Sequence, residues 1–117
     1  MHELGIATEI VERVQAEITR QNLEKLRAVG VRIGALSAVD PDALTFGFTC
    51  VCKETPLDGV RLVIEWVPAA VRCEVCGHRW TVDQPDFICP ACHTCKPVIE
   101  QGYELDIVYL ETDDPEV

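Results

Sequence analysis

Two C-x2-C pairs, Cys73-Glu-Val-Cys76 and Cys89-Pro-Ala-Cys92, are the residues whose type and spacing point most directly to chemistry. One tight turn through such a pair presents two thiolates to the same point. Two turns complete the tetrahedral soft-ligand shell that Zn2+ takes, with Zn–S bonds of about 2.3 Å. Twelve residues lie between Cys76 and Cys89, so both pairs sit in one short lobe. A shell of four cysteines leaves no open position, which favours a structural over a catalytic ion. Cys92-His93-Thr94-Cys95 forms a second, overlapping C-x2-C, so Cys95 competes with Cys92 for the fourth place. Cys92 is preferred because its pair mirrors Cys73–Cys76. His78 and His93 lie beside the knuckles, either as neighbours of the shell or exposed residues, or as groups that titrate near neutrality.

The second place with metal-binding character is the start of the chain, Met1-His2-Glu3. A bulky second residue is expected to leave Met1 and its α-amine in place. That amine, the His2 amide and the His2 ring are joined by short covalent paths and can close adjacent chelate rings. Nitrogen donors in one plane suit Ni(II) or Cu(II) much better than Zn2+. Binding through a deprotonated amide is expected to depend on pH. A third group, Cys50 and Cys52, reads differently. On a helix, residues two apart point about 200° from each other, so they do not readily chelate one ion. The expectation is two small buried apolar residues, with an auxiliary soft-metal site as the alternative.

These residues need elements to hold them. Ile6, Ile10, Val14 and Ile18 recur every four residues, which predicts an amphipathic helix over 4–20. Val29, Val31, Ile33 and Ala35 alternate, which predicts a strand with one buried face within 26–37. Asp40-Pro41 is an N-cap followed by a first-turn proline. It tips the ambiguous segment Ala43–Cys52 towards helix. Alternation resumes in Val60–Val67 and again in Tyr103–Leu110, while the acidic tail Thr112–Val117 is expected to fray. The order is helix, strand, helix, strand, zinc lobe, strand. It predicts an α+β fold: a small mixed three-stranded sheet with two helices on one face, plus a zinc-ribbon-like lobe inserted before the last strand. The expected domains are 1–68 with 100–117, and the zinc lobe 69–99.

The composition narrows the classes. The chain has 117 residues and a formal charge of −10, from 10 Lys+Arg against 20 Asp+Glu. That balance argues against a phosphate-neutralising surface, and so against nucleic acid as a partner. No run reaches the ~18 apolar residues of a membrane span. Glu3, Glu9 and Glu12 interrupt any apolar signal-peptide core. Seven cysteines without an export signal fit a reducing cytoplasm, with C-x2-C pairs serving metals rather than disulfides. No nucleophile–base grouping, phosphate loop or carboxylate pair stands out, so no enzyme activity is expected.

Taken together, Met1-His2-Glu3-Leu4, then Arg32-Ile33-Gly34-Ala35-Leu36-Ser37-Ala38-Val39-Asp40-Pro41, then Thr55-Pro56-Leu57-Asp58-Gly59 and the two knuckles resemble the HypA/HybF hydrogenase maturation nickel chaperones. The resemblance runs from Met1 to about Glu111. It implies a small nickel-binding α/β domain with a zinc lobe, and a second helix over 41–53. It implies transient Ni(II) held by the Met1 amine, the His2 ring and amide and the Glu3 amide, with the Glu3 side chain orienting the site. It implies Zn2+ on Cys73, Cys76, Cys89 and Cys92. The implied partners are the maturation GTPase HypB and the large subunit of [NiFe]-hydrogenase, and some members serve urease. Cys92-His93-Thr94-Cys95 departs from the Cys-Gly-Ser with which members often continue. The alternative on the knuckles alone is a zinc-ribbon module that binds protein or nucleic acid without nickel transport.

Overall fold

The computed structural model describes residues 2–82 and 86–113. Met1, expected as a nickel ligand, and residues 114–117 of the acidic tail lie outside them, as do residues 83–85 of the zinc segment. The elements follow in the order α1 (His2–Gln21), β1 (Leu26–Gly34), α2 (Pro41–Cys52), β2 (Arg61–Val67), β3 (Ala69–Cys73), β4 (Arg79–Val82), β5 (Pro97–Gln101) and β6 (Leu105–Thr112). They make two three-stranded sheets, in the orders β2-β1-β6 and β4-β3-β5.

The two helices start and stop for local reasons. At the head of α2, the Asp40 carboxylate accepts from the backbone N–H of Asp42 at 2.9 Å and of Ala43 at 3.3 Å, and Pro41 takes the first turn. This cap resolves the ambiguous segment as helix, since it satisfies donors a strand would not offer together. At the end of α1, Asn22 turns left-handed at φ 54°, and the Leu23 N–H closes back on the Ile18 carbonyl at 3.0 Å. That is a helix-terminating turn of the Schellman type.

β1 departs from the expectation of one buried face. Ala28, Val29, Val31 and Ile33 are all buried, so both faces are covered. The reason is a neighbour on the second face: the Tyr109 ring of β6 lies against Gly30, where a Cβ would overlap it. The Gly34 N–H bonds the Glu104 carbonyl, and the Asp113 N–H bonds the Lys25 carbonyl, so β1 and β6 run antiparallel. The Ala35 N–H just beyond β1 bonds the carbonyl of Val67, the last residue of β2. With α2 as the crossover, β1 and β2 run parallel and the sheet is mixed.

The chain divides into two compact units. The first comprises Met1–Val31, Val39–Glu65 and Asp106–Val117. Its core joins Ala7, Ile10, Val11 and Val14 of α1 to Leu44 and Phe48 of α2 and to Ala28, Val29 and Val31 of β1. Full burial of a side chain such as Phe48 stabilises by roughly 1.5–3 kcal/mol. The second comprises Arg32–Ala38 and Trp66–Leu105. Among the described residues its fully buried side chains are few: Ile33, Ala69, Val71, Cys73 and Cys89. So small a core calls for a staple. β3 is its central strand, antiparallel to β4 and to β5, with a register shift against β5 between Ala70 and Val71. Glu100 on β5 faces Arg79 of β4 at 3.1 Å and Arg72 of β3 at 3.6 Å. The backbone of this unit is tight where residues 34–36 meet the connection at Gly102. Leu36 N–H donates to the Gly102 carbonyl at 2.7 Å, and a Cβ on Gly34 would overlap that same carbonyl.

Candidate metal centres

Two turns of matching geometry build the cysteine cluster. In the first, the Gly77 N–H bonds the Cys73 carbonyl at 2.9 Å and the Cys73 N–H bonds the His78 carbonyl at 2.8 Å. In the second, the His93 N–H bonds the Cys89 carbonyl at 2.8 Å and the Cys89 N–H bonds the Thr94 carbonyl at 3.1 Å. Gly77 and His93 hold equivalent left-handed positions, at φ 78° and 64°. The repeat follows from the C-x2-C spacing: each pair turns once and the chain leaves on the next residue.

The four sulfurs of Cys73, Cys76, Cys89 and Cys92 all lie within 4.8 Å of one another. Two Sγ···Sγ distances, Cys73 to Cys92 and Cys76 to Cys89, are 3.6 Å. A disulfide would need about 2.05 Å, and all seven cysteines are free. A tetrahedron of 2.3 Å Zn–S bonds has edges of ~3.8 Å. The cluster therefore fits a structural zinc ion, which would supply the cross-link that this small core lacks. Cys95 is exposed and stands outside the cluster.

Without metal, the cluster holds its protons unevenly. The His78 backbone N–H favours the Cys76 thiolate, but desolvation and the sulfurs of Cys89, Cys92 and Cys73 outweigh it and push the Cys76 thiol up to about 12. Cys92 goes the other way, to about 6, because the Thr94 hydroxyl and backbone N–H both donate to it. Zinc uptake displaces thiol protons from the cluster, which makes binding weaker in acid.

The remaining candidates are dispersed. The His78 ring stacks on Trp80, with centroids 5.9 Å apart and planes at 14°. His93 is exposed. On α2, Cys52 is buried as expected, but Cys50 is exposed, which corrects the reading of both as buried. The helical twist itself separates them. Burial first, then the Asp58 charge, pushes the Cys52 thiol up, so it is inert.

At the N-terminus, His2 is exposed at the head of α1. Glu3 is not free. Its Oε2 accepts the Asp40 backbone N–H at 3.3 Å and lies 3.6 Å from His2 Nδ1. The Asp40 amide, then the Glu3 amide and His2, hold its carboxyl below the ordinary glutamate range. Asp40 thus acts in two directions: its side chain caps α2 and its amide anchors the start of α1. Sequence reasoning found only the first, because nothing local links Glu3 to a residue 37 positions away. α2 also carries Gly47 here, where a Cβ would lie 3.6 Å from Leu4 Cα and 3.7 Å from the Glu3 carbonyl.

The family model described as hydrogenase/urease nickel incorporation, metallochaperone, hypA matches residues 1–112. The chain belongs to the HypA family. A relative named hydrogenase maturation factor HypA from Desulfosudis oleivorans is 44% identical over 115 residues, covering 95% of this chain and 97% of its own. One of the same name from Chloroflexus aggregans is 43% identical over 114 residues, covering 96% and 99%. The fold also matches a solved structure, the Ni metallochaperone HypA from Helicobacter pylori, with a TM-score of 0.64 at 23% identity over 94% of this chain and 96% of that one. HypA membership makes the chain a nickel-incorporation metallochaperone of hydrogenase maturation, not an enzyme. No helix among the described residues is long and apolar enough to cross a membrane.

Proposed function

We propose that this chain carries Ni(II) on Met1, His2 and Glu3 and hands it, in the cytoplasm, to the large subunit of a [NiFe]-hydrogenase with the GTPase HypB as co-worker. Zinc on Cys73, Cys76, Cys89 and Cys92 holds the lobe 69–99, while 1–68 with 100–117 forms the nickel-binding part.

The observation that carries this reading is the position of His2 and Glu3 in the first turn of α1. First-turn amides have no acceptor within their own helix. Their nitrogens can give up protons to a metal without breaking any hydrogen bond of the ladder. The exposed His2 ring adds a donor, and together with the α-amine they make the nitrogen-rich planar set that Ni(II) prefers. Among the described residues, the four cysteines are the one converging group of three or more His, Cys, Asp or Glu. A closed thiolate shell is built to retain its ion, which leaves the cargo to the chain's start. Release is then ligand exchange at an exposed turn, and the core need not unfold.

Nickel titration of the zinc-loaded chain against His2→Ala tests the assignment. The expected result is full zinc content in both, with nickel affinity reduced roughly a hundredfold in the variant. The absorption band of planar nitrogen-bound nickel should vanish with it. An unchanged band would move the nickel elsewhere.

A further inference from the structure

Neither metal site uses the outer edge of β6. The order β2-β1-β6 gives β6 one neighbour among the described residues, and its backbone bonds at Glu104 and Asp113 go to the β1 side. The other row of N–H and C=O groups has no described strand against it. Proteins blunt such edges with lysine, proline, bulges or covering elements. β6 reads Leu-Asp-Ile-Val-Tyr-Leu-Glu-Thr and has neither lysine nor proline. Its middle, Ile107–Leu110, is four uncharged residues in a row, with Val108 39% and Tyr109 45% exposed.

An open groove of about 620 Å³ lies alongside, between Ile107, Val108, Tyr109 and Leu110 and the α1 segment that begins at Arg13. The opposite edge offers less. There a cleft of about 400 Å³ takes only Arg61 and Leu62 from β2.

Charge selects the occupant. The unit that holds this groove has fifteen acidic and six basic residues. Each of its four arginines is already matched: Arg13 with Glu9, Arg20 with Glu17, Arg27 with Asp113 and Arg61 with Glu111. The two charges that line the groove, Arg13 and Glu17, are therefore neutralised. Glu12 and Asp106, which adjoin the lining in sequence, have no partner among the described residues.

We propose that the β6 edge and its groove receive an extended segment of a partner protein by strand addition. The segment carries apolar residues at alternate positions, seated in the groove, and basic residues between them. Backbone pairing sets its register, and the alternating side chains give selectivity. A second copy of this chain does not fit, because it would bring an equally acidic unit to the same edge. The proposal stands apart from the nickel assignment.

The probe is a blocked valine–lysine alternating peptide of about eight residues, within the usual span of a strand. Its twins carry glutamate for lysine, or N-methyl groups on alternate amides. Each is titrated into the full zinc-loaded chain, with residue-level amide exchange as readout. The valine–lysine peptide should slow exchange of the outward amides within 107–112 by ~tenfold or more, and both twins should bind at least ~tenfold more weakly. Val108→Lys should weaken binding equally while the β1 amides stay protected. The proposal falls on any of four results: no binding, binding indifferent to N-methylation or to Val108→Lys, protection at other residues, or self-association that protects this edge without peptide.

Discussion

At Cys73, Cys76, Cys89 and Cys92, four side chains from two distant turns converge, and both turns are closed by backbone hydrogen bonds. At His2 and Glu3, the donors of the proposed nickel site come from neighbouring residues of one helical turn, with the His2 ring open to water. The first arrangement loses its shape when one ligand leaves, because the ligands are the core: Cys73 and Cys89 are fully buried. The second can exchange ligands one at a time with no core to disturb. On the proposed assignment, a single small chain separates an ion it keeps from an ion it gives away, by drawing donors from four converging side chains in one case and from a helix start in the other.

The strongest way to break this contrast is at the buried ligand. Cys89→Ser should lower zinc affinity by ~10³-fold or more, since structural zinc supplies much of the folding free energy of so small a lobe. Metal analysis should find the purified variant nearly zinc-free. Amide protection should fall in β3, β4 and β5, while the α1 and α2 amides keep theirs. Cys95→Ser should retain zinc. If the two variants exchange these results, the shell uses a different fourth sulfur.

Two glycines sharpen the contrast at the level of backbone. In the zinc unit, Gly34 abuts the Gly102 carbonyl, and an added methyl meets backbone that cannot step aside. Gly34→Ala should destabilise by about 2 kcal/mol. In the other unit, a Cβ on Gly47 would lie 3.5 Å from Ala7 Cβ, an ordinary contact. Gly47→Ala should stabilise by ~0.5–1 kcal/mol through helix propensity. Denaturant unfolding of the zinc-loaded chain measures both. Equal signs would mean that the two backbones have similar slack.

What could be read in advance follows the same division. Helix spacing, the Asp40-Pro41 cap and the C-x2-C pairs are local patterns, and α1, α2 and the cysteine cluster were all legible from them. The family resemblance added the order of the motifs. Features set by partners far along the chain were hidden. β1 is buried on both faces because the Tyr109 ring of β6 lies against Gly30, which its alternating residues do not reveal. β3, β4 and β5 are four- and five-residue strands whose pairing depends on the folded knuckles, so periodicity had little to act on. The exposure of Cys50 depends on which face of α2 turns inward, and a segment apolar nearly all round leaves that face undecided.

The smallest effect concerns the Glu3–Asp40 anchor. A carboxyl whose pKa is lowered by folding contributes stability above its ordinary range and loses it as pH falls through the lowered value. The chief cause here is the Asp40 amide, so the Asp40 N–H resonance should follow this carboxyl only below the ordinary glutamate range. Glu3→Gln keeps a weaker acceptor and no charge. Its Asp40 resonance should be displaced at all pH values and should not titrate with this carboxyl. Zinc content should be unchanged, and nickel affinity should change only ~two- to fivefold, as expected of a group that orients rather than ligates. Titration of the Asp40 amide at the ordinary glutamate value, or indifference to Glu3→Gln, would mean that the start of α1 is untethered in solution. The proposed nickel turn would then be looser than its contacts with Asp40 imply.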